Sequence, residues 1–264
     1  MNYISLTPLD LAIAACLVIA LAATSFYLKL TIGKQLIIVA IRATIQLLLI
    51  GLVLKTLFST SNPWLLMLVA SVMLIVASRE VLARQKHKFH GWWGVNISAS
   101  SLFISSFSIT LIALVIIIGN QPWYSPQYAI PFLGMLLGNT MSGVALSLDR
   151  LSDTVWRERE TIEQRLLSGE SASQALNPIR NASLRAGLLP IMNALATANV
   201  VNLPGMMTGQ ILAGSPPLEA VKYQILILFL IAASNGLGIL IALFIASRRL
   251  FDQRQRLRLD RMKA

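Results

Sequence analysis

Seven apolar runs, most of them long enough to cross a lipid bilayer, dominate this sequence. They cover residues 9–28, 36–54, 64–78, 97–118, 127–148, 188–214 and 219–246. A helix needs about 20 mostly apolar residues to span a hydrocarbon core of roughly 30 Å, so the third run is short, and polar residues make the sixth irregular. Charged residues make up 12% of the chain, against roughly 25% in soluble domains. We therefore predict an all-α polytopic membrane protein with about seven transmembrane helices in a single domain, 1–264.

Lysine and arginine fall almost entirely on one side of these predicted helices. The connections after the first, third and fifth runs and the tail 247–264 carry most of the 22 basic residues, whereas Lys55 and Lys222 lie on the other side. Basic loops stay in the cytoplasm, which predicts an external N-terminus and a cytoplasmic C-terminus in the plasma (inner) membrane. The tail lacks interleaved aromatic residues, so we expect it to be solvated or to contact anionic membrane lipid, and we expect no nucleic-acid binding.

The connection 149–187 is the only sizeable segment outside the predicted membrane helices. Its first half is charged, with apolar residues at helical spacing, and Gly169 is placed to end that helix in a left-handed conformation. Ser171 and Gln174 fit a capping box, which predicts a second helix that is short because Pro178 cannot continue it. An exposed short helix is either a solvated connector or a contact site for another protein, and the pattern alone favours neither.

A proline-glycine pair interrupts the sixth apolar run. Pro204 and Gly205 free backbone carbonyls and permit a bend, which lipid tolerates only where protein or a water-filled path satisfies them. Gly205 and Gly209 form a small-xxx-small pair, which suits close helix approach. We predict a bent sixth transmembrane helix and a protein that moves something across the membrane.

Polar and thioether side chains within the runs mark a candidate path. An unpaired charge at the depth of Arg42 costs about 2.5–3.5 kcal/mol, so this side chain should face protein or water, and Gln46 lies one turn further on the same helical face. The same groups also serve helix packing, and methionine commonly fills gaps in cores. Both interpretations stay open for the six candidates, which are Arg42, Gln46, Asn139, Asn193, Met206 and Met207.

The sequence contains little that would power transport or catalysis. Carriers driven by protons or sodium commonly place carboxylates at the membrane midplane, and no Asp or Glu lies deep in a run. The chain also lacks the Gly-x-x-x-x-Gly-Lys-Ser/Thr loop that binds ATP phosphates. His87 and His90 alone make an incomplete metal site and fit better in an interfacial belt beside two tryptophans. We expect no catalytic residue and no cofactor in this chain; the alternative to a permease is an ATP-independent channel or secondary carrier.

Several blocks, in order along nearly the whole chain, resemble one known family. They are Arg42-Ala43 with Gln46-Leu47, Ile130-Pro131 with Gly138-Asn139, the series Glu163, Leu166, Gly169, Ser171, Gln174 and Ala175, then Leu203 to Gly209, and Ala220 to Ile225. On these blocks the chain is similar to the Fet-type (FetB-like) iron-export permeases of ABC transporters. It departs from them at Ala196, where a lysine is usual, and at Asn199, where a glycine is common.

The resemblance implies a function and a set of partners. A permease of this kind exports iron or another metal ion, pairs with a second copy of itself, and depends on a separate ATP-binding cassette subunit that holds the ATP. The six loop residues from Glu163 to Ala175 would form the coupling loop that contacts this subunit. Which metal is carried, and whether this chain ligates it, does not follow from the residues.

Overall fold

The computed structural model describes residues 7–28, 32–59, 63–119, 121–122, 124–197 and 204–263. These residues are almost entirely helical, and the predicted all-α membrane fold is confirmed. Among them, six helices are long and apolar enough to cross a membrane: Leu9–Tyr27, Gly33–Lys55, Pro63–Ala83, Trp92–Ile118, Pro126–Arg157 and Pro217–Leu250.

The first two helices form a compact unit of their own, Met1–Ser61. Helix α1 (Pro8–Tyr27) begins at a capping box in which Thr7 and Asp10 bond each other's backbone N–H groups. Helix α2 (Ile32–Ser59) follows, and its residues 41–53 are all exposed in the isolated chain. An apolar helix so little buried needs lipid or another protein around it.

The second unit, Asn62–Ala264, contains the remaining elements. They are α3 (Pro63–Ala83), β1 (Lys88–Phe89), α4 (Trp92–Leu102), α5 (Ser108–Ile112), α6 (Pro126–Arg157), α7 (Arg159–Leu167), α8 (Ala172–Ala196), α9 (Gly205–Leu212), α10 (Pro217–Leu250) and β2 (Met262–Lys263). A π-helical stretch, Phe103–Phe107, joins α4 to α5, and a second one, Ala113–Ile118, extends α5, so that one continuous span runs from Trp92 to Ile118.

Helices α6, α8 and α10 pack together at the centre of this unit. Gly187 of α8 lies against both of the other helices: a Cβ there would lie 2.7 Å from the Gly143 carbonyl oxygen and 2.9 Å from Ile239 Cδ1. Buried side chains such as Leu148 and Leu243 extend this core. The end of the bundle where α6 and α10 finish and α8 begins carries the charged connections, and it is called the basic end below.

The sixth apolar run does not form one bent helix, so that prediction is wrong. Helix α8 ends at Ala196, and a separate eight-residue helix, α9, starts at Gly205. Residues 198–203 between them lie outside the described part of the chain. Pro204 precedes it in an extended conformation, with φ −62° and ψ 139°. Proline fixes this geometry and disfavours helix in the residue before it, so the pair begins a new helix where a bend was expected.

Candidate functional site

The turn between α7 and α8, at the basic end, contains the predicted coupling residues. The N–H of Gly169 donates to Leu166 O and the N–H of Glu170 to Arg165 O, both at 3.1 Å. These two bonds are the pattern that closes a helix with a left-handed residue, and Gly169 has φ +91°. The predicted glycine cap is confirmed.

The start of α8 is capped as predicted. Ser171 Oγ accepts the N–H of Gln174 at 3.4 Å, and Gln174 Oε1 accepts the N–H of Ser171 at 2.9 Å. Two well-defined caps only a few residues apart leave little freedom in the turn between the helices.

The helix that begins there is long, so the prediction of a short helix ending before Pro178 is wrong. Helix α8 continues through Pro178 and Pro190 to Ala196. A proline inside a helix costs about 3 kcal/mol. Each large apolar side chain buried against the core returns about 1.5–3 kcal/mol, and Leu176 and Ile179 are both buried there. Packing therefore decides the length of this helix against the local signal.

The turn presents only some of the predicted residues to solvent. Glu163 and Gln174 are exposed and Leu166 is partly buried, whereas Ala175 is 2% exposed and lies in the core. Leu167, which sequence reasoning missed, is 88% exposed. Adjacent helical residues point about 100° apart, so only one of the two leucines can face the core. That adjacency was the available signal for an exposed apolar side chain.

The tail folds back on the basic end, which differs from the solvated or lipid-bound tail that its composition predicts. We call residues 251–263 the tail hook. Phe251 and Met262 are buried in the main core, and β2 pairs with β1 in antiparallel register. Arg261 Nη1 donates to the carbonyl oxygens of Arg249, at 2.8 Å, and Phe251, at 3.1 Å. The hook is therefore anchored at both of its ends.

A tight turn at the start of the hook is organised by Asp252. Its carboxylate accepts the backbone N–H groups of Arg254 and Arg256, each at 2.9 Å, and the Arg256 guanidinium at 3.0 Å. The bond from the Arg256 N–H is the largest cause that holds the pKa of Asp252 below its ordinary value. This turn carries the following residues toward α8.

The tail hook and the α7–α8 turn border an open cleft of about 720 Å³. Glu163, Leu166, Leu167 and Gly169 line one side of it, and residues 253–257 line the other. Gln255 Oε1 also accepts the N–H of Ala172 at 2.8 Å, which satisfies one of the free donors at the start of α8. Three of the six predicted coupling residues thus share a cleft with the tail.

The four path candidates of the second unit divide into exposed and packed groups. Asn139 and Asn193 are exposed, and Asn139 Nδ2 donates to the Met135 carbonyl of its own helix at 2.8 Å. Met207 is buried and Met206 packs against the second core cluster, so both methionines serve packing here. Polar side chains exposed at membrane depth need a covering surface other than lipid.

Two further predictions concern the polar pair on α2 and the glycine pair on α9. Arg42 and Gln46 are exposed on α2 within the first unit. Gly205 begins α9 and Gly209 lies within it, and a Cβ at either glycine would meet no described atom within 4 Å. The close helix approach predicted for this glycine pair is therefore not seen within the described residues.

A seam of small polar side chains joins α6 and α10 to the π-helical segment between α4 and α5. Ser234 Oγ lies 2.8 Å from Thr140 Oγ1 and 3.4 Å from Ser106 Oγ, and all three residues are buried. Asn235 lies next to Ser234 and packs its amide over Gly143. These contacts are packing contacts between helices.

The two histidines do not form a shared site. His87 is buried and stacks on Trp156 with ring centroids 5.0 Å apart, and its Nε2 lies 3.9 Å from Asp153 Oδ1. His90 is exposed and donates its backbone N–H to Arg261 O. Within the described ranges, no group of three or more His, Cys, Asp or Glu side chains is placed to hold a metal ion.

Comparison with known proteins identifies the family. Residues 8–251 match the family described as an uncharacterised protein family, UPF0014. The chain belongs to the UPF0014 family. No solved structure matches this UPF0014 chain.

Curated UPF0014 relatives match most of this chain. A UPF0014 membrane protein of Synechocystis is 39% identical over 86% of this chain and 87% of its own length. The probable iron export permease protein FetB of Escherichia coli is 32% identical over 100% of this chain and 99% of its own length. The Arabidopsis thaliana protein ALUMINUM SENSITIVE 3 is 31% identical over 81% of this chain and 77% of its own length. The resemblance to Fet-type permeases is confirmed.

Proposed function

We propose that this chain is the permease subunit of an ATP-driven ABC transporter that exports iron or another metal ion from the cytoplasm. In this proposal the basic end faces the cytoplasm, as the distribution of Lys and Arg favours, and the N-terminus lies outside the plasma membrane. The observation that carries the proposal is the geometry of the α7–α8 turn. The turn is exposed, has a helix cap on each side, and leads directly into α8, which continues into the bundle without a break.

The turn is suited to receive and transmit force. With 25 residues, α8 is a rod about 37 Å long, and it packs against α6 and α10 at Gly187. A displacement applied at Ser171 would therefore move the helix as a body, because packed helices shift between discrete arrangements more readily than they deform. Leu167 offers an apolar contact at the point where the force enters.

The source of that force would be a separate ATP-binding subunit. The chain carries no phosphate-binding loop of the Gly-x-x-x-x-Gly-Lys-Ser/Thr type, and its membrane runs offer no deep carboxylate for coupling to protons or sodium. The name of the E. coli relative, a probable iron export permease, supports both the role and the cargo class. ATP would bind to the partner, so this chain would need no cofactor of its own.

A second copy of the chain would complete the path. Asn139 on α6 and Asn193 on α8 are exposed at membrane depth, as is Arg42 on α2. Facing lipid, such groups are costly, whereas a neighbouring copy or a water-filled path between two copies satisfies them. The neutral amide oxygens of the two asparagines would hold a metal ion weakly, which suits transit and release more than storage.

The coupling role is tested with one charge placed at two positions of α7. Leu167→Glu puts a carboxylate on the exposed leucine of the turn, and Thr161→Glu puts the same group on an exposed residue that does not line the cleft. We expect Leu167→Glu to abolish permease stimulation of the purified ATP-binding partner, and Thr161→Glu to retain it at equal membrane abundance. Full stimulation by Leu167→Glu would remove the turn from the coupling path.

A further inference from the structure

We infer that the tail hook, residues 251–263, forms the second wall of the surface that receives the ATP-binding subunit, and that Gln255 is the residue that holds the two walls in register. The inference rests on the proposed function, since it concerns the partner of the same surface. It assigns a binding role to a segment for which composition suggested only solvent or lipid.

The coupling turn and the tail hook border one continuous surface. The cleft of about 720 Å³ has the predicted coupling residues on one side and residues 253–257 on the other. A protein that contacts the exposed Leu167 must also fill or border this cleft, because Leu167 itself lines it. The hook is thus within reach of any partner that engages the turn.

The two walls of the cleft differ in charge. Glu163 and Glu170 give the α7 side a negative character, Arg254 gives the hook side a positive one beside Arg256, which is paired with Asp252, and Leu167 lies in the same cleft. The complementary surface is a protein segment with an apolar side chain at its centre, basic groups toward α7 and acidic groups toward the hook. A membrane surface would complement the arginines but would be repelled by the glutamates.

The tail hook is linked mechanically to both α8 and α10. Through the bond from the Ala172 N–H to Gln255 Oε1, the hook is joined to the first residue of α8. At its start the hook continues directly from α10, and Arg261 fastens its far end to the carbonyl oxygens of Arg249 and Phe251. A partner seated in the cleft would therefore move the start of α8 and the end of α10 together.

Site-specific photo-crosslinking tests the surface in the intact, membrane-embedded chain. A benzoylphenylalanine is placed at Leu167, at Arg254, or at Arg79, an exposed residue of α3 outside the cleft lining. The crosslinked partner is identified by peptides that contain a phosphate-binding loop. We expect the same ATP-binding protein at Leu167 and Arg254, and none at Arg79.

The outcomes separate the two proposals. Crosslinks to the ATP-binding protein from Leu167 alone would overturn the inference and leave the proposed function in place. Crosslinks from neither position would overturn both. Lipid adducts alone at Arg254, with the ATP-binding protein at Leu167, would assign the hook to the membrane and so contradict the inference.

Point variants test the positioning role of Gln255 without removing the hook, whose Phe251 and Met262 belong to the core. Gln255→Ala removes the acceptor for the Ala172 N–H, Gln255→Glu keeps an acceptor oxygen, and Gln253→Ala shortens a neighbouring cleft residue. Loss of one hydrogen bond predicts an about five-fold rise in the partner concentration that gives half-maximal ATPase stimulation. Gln255→Glu should restore the wild-type value and Gln253→Ala should stay within two-fold of it. An unchanged value for Gln255→Ala would overturn the positioning role.

Discussion

The contact between α6, α10 and the π-helical segment permits a prediction with a control on the same helix. A Cβ at Gly238 would lie 2.5 Å from Thr140 Cγ2 and 2.9 Å from Ser105 Oγ. At Gly236, two residues earlier on α10, a Cβ would meet no described atom within 4 Å. The substitutions Gly238→Ala and Gly236→Ala therefore add the same methyl group to the same helix, with and without a clash.

The magnitude follows from two opposing effects. Replacing glycine by alanine inside a helix gains about 1 kcal/mol from reduced backbone entropy in the unfolded chain. Overpacking a well-filled interface costs about 1–3 kcal/mol, and at Gly238 the neighbours are a methyl group and a hydroxyl on two other helical segments. The open position should thus gain stability, and the two variants should differ by about 1–3 kcal/mol.

Thermal unfolding of the purified protein in one detergent measures this difference. For a chain of this size, 1 kcal/mol corresponds to about 2–4 °C in Tm, so Gly238→Ala should unfold roughly 2–12 °C below Gly236→Ala. Equal Tm values would show that α10 is not locked against α6 and Ser105 as described. The same pair should also differ in transport, because the seam holds α6, the helix that carries the path candidate Asn139.

Two smaller perturbations test the basic end. Ser171→Ala removes the α8 cap, which typically costs about 1 kcal/mol, so amide hydrogen exchange at the start of α8 should quicken about five-fold. Ser173→Ala, at an exposed residue without a capping bond, should leave the exchange rate unchanged. Equal exchange rates in the two variants would refute the cap. The pKa of Asp252 is lowered in the folded chain from its ordinary value of 3.8, so its carboxylate stabilises the hook at pH values above 3.8 and this contribution is lost as pH falls through the folded pKa. We expect the wild-type chain to retain exchange protection of the Arg256 amide at about pH 5, and the Asp252→Asn variant to lose part of this protection at every pH. Loss of protection in the wild type near pH 5 would contradict this account.

Hydropathy and local capping predicted much of the fold. The run 219–246 corresponds to Pro217–Leu250 and the run 97–118 to Trp92–Ile118, because length and apolarity alone select membrane helices. Gly169 and Ser171 were placed correctly, since cap geometry depends on the residues nearest in sequence.

Two of the wrong predictions, for the end of a helix at Pro178 and for the tail, have the same cause, which is packing between segments distant in sequence. Pro178 was expected to end a helix, but burial of Leu176 and Ile179 in the bundle outweighs one lost hydrogen bond, and a single sequence does not display that packing. The basic tail was expected to be solvated or to contact lipid, whereas Phe251 and Met262, eleven positions apart in the chain, decide its fold by entering the core.

The corrected geometry also changes which variants test coupling. Ala175 lies in the core and Gly169 has a left-handed backbone. Bulky charged residues at either position would therefore disturb folding as well as coupling. Leu167, which is exposed and takes no part in the capping box of α8, separates the two effects.

Metal flux across reconstituted vesicles tests the central claim most directly. The chain would be reconstituted with and without its ATP-binding partner, ATP supplied outside, and uptake of iron, manganese, zinc, copper and aluminium into the lumen measured. We predict uptake of at least one metal, with iron first, only when partner and hydrolysable ATP are both present, and its loss in the Leu167→Glu variant. Equal metal flux through the chain alone, without nucleotide, would contradict the account and identify an ATP-independent channel or carrier.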